Sequence, residues 1–131
     1  MTDAISTPPT PADVVQTLSR LMSDGDVEGA LSLYEPEAVF QPTPDAPAVT
    51  GRPSIREALL RFVALRPTLT GDIVKLHVAG DTALVVNRWK LTGTQPDGEP
   101  VEMAGTSADV LRRDTDGRWR IAVDDPWGAD L

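Results

Sequence analysis

The sequence predicts an α+β fold, in which helices cover one face of an antiparallel sheet. Two observations carry that expectation. As far as Pro67, apolar residues recur at three- and four-residue intervals, the period of an amphipathic helix. From residue 70 onward they alternate with polar ones, the period of a strand, and Gly-Asp or Asp-Gly turns separate the alternating stretches. Helices first and strands afterwards is the order expected when helices pack against one side of a sheet.

Residues 1–10 carry two adjacent prolines among Ser and Thr and read as a disordered arm before one domain over 11–131. Thr10 offers an N-cap, Pro11 suits the first helical position, and Asp13 suits the positive end of the helix dipole. Val14, Val15, Leu18, Leu21 and Met22 then predict a helix over 11–23, stopped by SDGD. Asp26 caps a second helix through DVEGALSLY, with Val27, Ala30, Leu31 and Tyr34 on one face and Pro36 as its end. AVF leads into QPTPDAPAVTG (41–51), where three prolines and a glycine argue against regular structure. A third helix follows in GRPSIREALLRFVAL, with Pro53 near its first turn, Ile55, Leu59, Phe62 and Val63 on one face, and Pro67 as its stop. DIVKLHVAG, DTALVVNRWKLTG, EPVEMAGTSADVLRR and GRWRIAVDD then read as four strands.

Composition narrows the function. The 131 residues suit one domain, and 12 Lys and Arg against 20 Asp and Glu give a net charge of −8. Such a surface repels phosphate backbones and anionic bilayers, so neither nucleic acid nor membrane is an expected partner. The longest aliphatic stretches are far too short to span a bilayer, and the opening MTDAISTPPTPAD lacks the features of a secretory signal, so a cytoplasmic location is expected. Without cysteine there is no disulfide, thiol nucleophile or thiolate metal site, and His77 stands alone. We therefore expect chemistry without metal or cofactor.

Both faces of the sheet carry large apolar residues. Val85 and Trp89 alternate with Leu84, Val86 and Arg88; Trp119, Ile121 and Val123 alternate with Arg120, Ala122 and Asp124. One face can lie under the helices, and the other needs a cover. The expectation is a homodimer through an outer face formed by Val85, Trp89, Trp119, Ile121 and Val123.

Three stretches, GDVEGALSLY, AVFQP with the later pair Gly51–Arg52, and ADVLRRDTDGRW, resemble the nuclear transport factor two-like superfamily over nearly the whole chain after residue 10. Within it the sequence looks most like the SnoaL-like and ketosteroid-isomerase-like branch. The resemblance implies a cone-shaped α+β barrel, three N-terminal helices packed on a curved antiparallel sheet. Ketosteroid isomerases use a carboxylate base, a tyrosine and a protonated aspartic acid. The places of these groups resemble Gln41, Leu18 and Asp109, so only the aspartic acid is retained and true steroid isomerisation is not expected. In the related limonene-epoxide-hydrolase type, an Asp–Arg–Asp set activates water. Asp124 and Arg88 resemble two of its members, but Lys90 stands where the other acid belongs.

By this template Asp109 and Leu111 face the cone, as do Ala122 and Asp124, while Leu84, Val86 and Arg88 line the neighbouring strand. The resulting expectation is a pocket for a small, largely apolar oxygenated molecule. Asp109 or Asp124 would act there as general acid or base. Arg88, Gln41, Tyr34 and Leu18 would contact the ligand, together with Leu84, Val86, Leu111 and Ala122. Asp125 would point away from Asp124, and His77 would lie on the sheet face opposite Asp109. Two alternatives remain open: a non-catalytic ligand-binding or association module, and an epoxide hydrolase.

Overall fold

The computed structural model describes residues 10–130, so the expected arm, apart from Thr10, lies outside the described residues. Helix α1 spans Pro11–Asp24 and α2 spans Val27–Leu31. Strands β1 (Tyr34–Phe40) and β2 (Val49–Thr50) precede helix α3 (Arg52–Val63), so the three helices do not all come before the sheet. Four long strands complete the chain: β3 (Thr68–Ala79), β4 (Thr82–Thr94), β5 (Pro100–Arg113) and β6 (Trp119–Asp125). They form one six-stranded sheet in the order β2-β1-β6-β5-β4-β3, antiparallel except where β1 runs parallel to β6.

Local chemistry sets the helix ends as expected. The Thr10 hydroxyl accepts from the Asp13 amide at 3.1 Å, and Gly25, at φ 77°, closes α1 in a left-handed conformation that costs glycine little. Asp26 caps α2 through the Gly29 amide at 2.8 Å. Among the described residues no helix is long and apolar enough to cross a membrane.

The second helix is shorter than the spacing predicts. It stops at Leu31, and Tyr34 begins a strand instead of completing a helical face. Pairing with β6 explains the change: the Ile121 amide donates to the Leu33 carbonyl, Tyr34 lies opposite Ile121, and the irregular strand absorbs the missing N–H of Pro36. The β1–β6 register shifts between Tyr34 and Val39, which is where that irregularity falls. Arg52 pins the place, donating through Nε at 3.1 Å and Nη2 at 2.6 Å to the Tyr34 carbonyl. The Gly51–Arg52 pair thus has a structural role.

The core lies between the helices and one sheet face. Val14, Val15 and Met22 of α1 and Ile55, Ala58 and Leu59 of α3 pack towards Ala83, Val85, Leu111, Trp119 and Ile121. This overturns the expected outer face. Val85, Trp89, Trp119 and Ile121 are all buried on the helix side, and of that group only Val123 lies on the other surface. The reason is register. Val85 sits directly opposite Asp109, and Leu84 opposite Val110, so the odd-numbered residues of β4 share Asp109's face. In β6 an extra residue, Ala122, separates the Val110–Val123 pair from the Leu111–Ile121 pair. That β-bulge shifts the alternation by one, so Trp119, Ile121 and Asp124 all face inward.

Candidate functional site

Pairing of β5 with β6 brings two carboxylates together. Asp109 lies opposite Asp124 on the inner face, and both are more than nine-tenths buried. Two residues earlier on β5, Ser107 faces the same way, and its hydroxyl lies 3.0 Å from Asp109 Oδ2. The Tyr34 hydroxyl donates to Asp124 Oδ2 at 2.5 Å, a short bond of the kind a charged acceptor produces. Asp109 Oδ1 is fully buried and meets no conventional donor among the described residues.

These groups form the polar floor of an apolar cavity of about 90 Å³, more room than a single water needs. Val15, Leu18 and Met22 of α1, Leu59 and Phe62 of α3, Phe40, Leu69, Leu91, Trp89 and Trp127 form most of its wall. Trp89 and Trp127 meet edge to face at 5.7 Å, and the Trp89 indole donates to the Pro126 carbonyl at 2.6 Å. The segment after β6 is tied back to β5 by the Thr106 amide on Asp130 and the Ala129 amide on the Thr106 carbonyl.

Among the described residues no Lys, Arg or His lines this cavity, and that governs its electrostatics. Burial pushes the Asp109 carboxyl well above the usual carboxylate range; the Asp124 charge and the hydrogen bond between the two acids push it further, while Ser107 opposes the shift. Asp124 is also raised by burial, but the hydrogen bonds from Asp109 and Tyr34 hold it down. Both shifts run upward, the stronger on Asp109, so the pair favours holding one proton between its two carboxyls. Burial, followed by the Asp124 charge, drives the Tyr34 hydroxyl well above its ordinary value, so it remains a donor. The arrangement holds one acid and one base side by side. Among the described residues no cluster of three or more His, Cys, Asp or Glu could hold a metal ion.

Of the residues expected at a site, Asp109, Asp124, Tyr34 and Leu18 meet in the cavity wall. Leu111 is fully buried beside them and Ala122 is buried in the bulge, yet neither borders the cavity. Leu84, Val86 and Arg88 lie on the opposite face, because Val86 pairs with Ala108 and Arg88 with Thr106, out of phase with Asp109. Arg88 and Lys90 are both exposed there, so an Asp–Arg–Asp set is not assembled. Gln41 turns into its own loop, donating to the Thr43 carbonyl at 2.7 Å and to that of Ala46, and loop 41–50 contributes nothing to the cavity wall. Asp125 points away from Asp124 and accepts from the Trp127 amide at 3.1 Å; His77 pairs with Leu84 on the outer face. Asn87, Ser107 and Trp127 line the cavity without having been singled out. Asn87 carried a readable signal, since it is the one polar residue in the alternating series Ala83, Val85, Asn87, Trp89, Leu91.

A helix-covered sheet enclosing an apolar, acid-floored cavity defines the class: an α+β domain with an enclosed pocket among its described residues. A family profile described as the SnoaL-like domain matches residues 15–121, and the chain belongs to that family. Several solved structures share the fold. A ketosteroid isomerase-like protein from Erwinia carotovora atroseptica superposes with a TM-score of 0.75 at 20% identity, over 86% of this chain and 88% of that one. A nuclear transport factor 2-like superfamily protein from Salmonella enterica gives 0.73 at 21% identity, over 86% and 82%. A protein from Xanthomonas campestris, assigned as a calcium/calmodulin dependent protein kinase II association domain, gives 0.71 at 19% identity, over 98% and 99%. No curated protein matches the chain.

Proposed function

We propose that this SnoaL-like domain binds a small, largely apolar oxygenated molecule in the cavity and moves a proton on it, as an isomerase or cyclase does. In this reading the helices and sheet of a single domain, residues 11–131, close a cone around the ligand. The outer face, with Leu84, Val86, Val110 and Val123, is the surface through which a second copy would pair. One observation carries the chemistry: two buried carboxyl groups face each other in an apolar cavity whose described lining holds no cation to neutralise them.

The division of labour follows from that arrangement. When a ligand enters, Asp109 turns its proton from Asp124 to the ligand carbonyl oxygen, so that charge developing there is stabilised and Asp124 is released to act as base. Asp124 accepts the proton leaving the adjacent carbon, and Tyr34, holding Oδ2, leaves Oδ1 for that task. Returning the proton to a different carbon completes an isomerisation, and no redox partner is required.

The test needs no knowledge of the natural ligand. 2-Tetralone, an apolar enolisable ketone, is incubated with the protein in deuterated buffer, and exchange at the carbons beside its carbonyl is followed by proton NMR. Exchange above the buffer rate is expected, falling by about 100-fold or more in Asp124→Asn, within the range that a positioned base contributes. Exchange that persists unchanged in Asp124→Asn removes the acid–base role. Binding without exchange supports the second reading, a non-catalytic ligand-binding or association module. That reading is favoured by Gln41, whose amide is committed to its own loop and supplies no base.

A further inference from the structure

The structure assigns Asn87 as a specificity-determining residue, whose carboxamide receives a second oxygen of the ligand beside the acid pair on the same sheet face. This rests on the cavity being a ligand site and goes further, because it names the substrate class as an apolar molecule oxygenated at two separated positions.

Asn87 is more than nine-tenths buried and borders the cavity, yet among the described residues no hydrogen bond reaches its side-chain amide. The neighbouring Ser107 hydroxyl approaches only the Asn87 backbone carbonyl, at 3.3 Å, and otherwise serves Asp109. An amide on the cavity wall whose donors and acceptor no protein group uses is free to hydrogen-bond a ligand that enters. The fold also makes room for it. On β3, a Cβ at Gly71 would stand 2.8 Å from both Nδ2 and Oδ1 of Asn87, so glycine at that position leaves the amide its space.

The placement sets the spacing. Asn87 lies opposite Ser107, and Val85 opposite Asp109, so Asn87 and Asp109 are diagonal neighbours on adjacent strands. Such neighbours stand roughly 7–8 Å apart. Apolar side chains such as Val15, Leu18, Phe62 and Leu69 form the wall around these two polar poles. A ligand with one oxygen would satisfy the acid pair and leave Asn87 unmet. A ligand with oxygens at both ends of a ring system would satisfy both.

Calorimetric titration with 2-naphthol and 2,6-dihydroxynaphthalene separates the cases. The wild type should bind the diol about tenfold more tightly, the worth of one added hydrogen bond in a buried site. Asn87→Leu, nearly isosteric but unable to hydrogen-bond, should abolish that preference while retaining 2-naphthol affinity. Asn87→Ala provides a second variant, and circular dichroism shows which of the two keeps the fold. Equal affinities for the two probes in the wild type, or a diol preference that survives in a folded variant, overturn the assignment of Asn87 and leave the cavity as a ligand site. Failure of both probes to bind the wild type overturns the assignment together with the ligand site.

Discussion

Strands β5 and β6 carry two sets of carboxylate contacts that could hardly differ more. At one end of the pair, Arg112 grips Glu35 through Nε at 3.1 Å and Nη2 at 2.6 Å, Arg113 grips Asp81 at 2.9 and 2.6 Å, and Arg120 pairs with Asp114. Water reaches most of these groups, so each pair adds little stability. Four residues from Arg113, Asp109 shares a buried site with Asp124 and has no cation among the described residues of its lining. Arginine is thus plentiful on these strands, yet none is turned inward. A guanidinium between the inner acids would have held both ionised and removed the acid. Their solvation is instead replaced by one shared proton, a tyrosine and a serine. That replacement is incomplete, and the site costs the fold something that the surface pairs do not.

Three substitutions sharpen this contrast, from the largest effect to the smallest. Tyr34→Phe removes the hydroxyl from the buried Asp124 charge and should destabilise the protein by about 2 kcal/mol near neutral pH, the cost of losing a hydrogen bond to a charged group. Urea unfolding measures it, and a negligible change would show that Asp124 is satisfied by other groups. Asp109→Asn should change the pH dependence of stability. The folded Asp109 keeps its proton well above the usual carboxylate range, so wild-type stability falls as pH rises above about 4 and the unfolded chain loses a proton that the folded one retains. The variant lacks this contribution and should show a shallower fall, gaining on the wild type as pH rises towards 7. Parallel pH profiles for the two proteins would contradict a raised Asp109. Arg113→Ala, on the surface, should cost less than about 1 kcal/mol, and added salt should shrink the difference. A larger loss would point to its guanidinium stacked 5.5 Å from the centre of the Trp119 ring, since that contact is less sensitive to salt.

Elements governed by neighbours in sequence were the legible ones. Thr10, Gly25 and Asp26 mark helix ends by local hydrogen bonds, and alternation marks the four long strands. Strand β1 was not legible, because VEGALSLY continues a helical spacing while its fate is decided by parallel pairing with β6, some 90 residues away. Tyr34 was expected near the site as part of a helical face, and it arrives there from a strand. Alternation reveals that β4 has two faces, but only its register against β5 decides that Asn87 points inward and Arg88 outward. The inward placement of Asp109 and Asp124 followed from family resemblance, and no periodicity within β6 could have put Trp119 and Asp124 on one side.

The bulge at Ala122 makes the acid pair depend on counting as well as on chemistry. Deleting that one small residue leaves each side chain of the site present in the chain and restores strict alternation to β6. Val123 would stay opposite Val110 and Asp124 opposite Asp109, each on the face it holds now. The site would be lost only if β6 straightened with Ala122 kept in the ladder, because Ala122 would then face Val110, Val123 would face Asp109, and Asp124 would turn out to solvent.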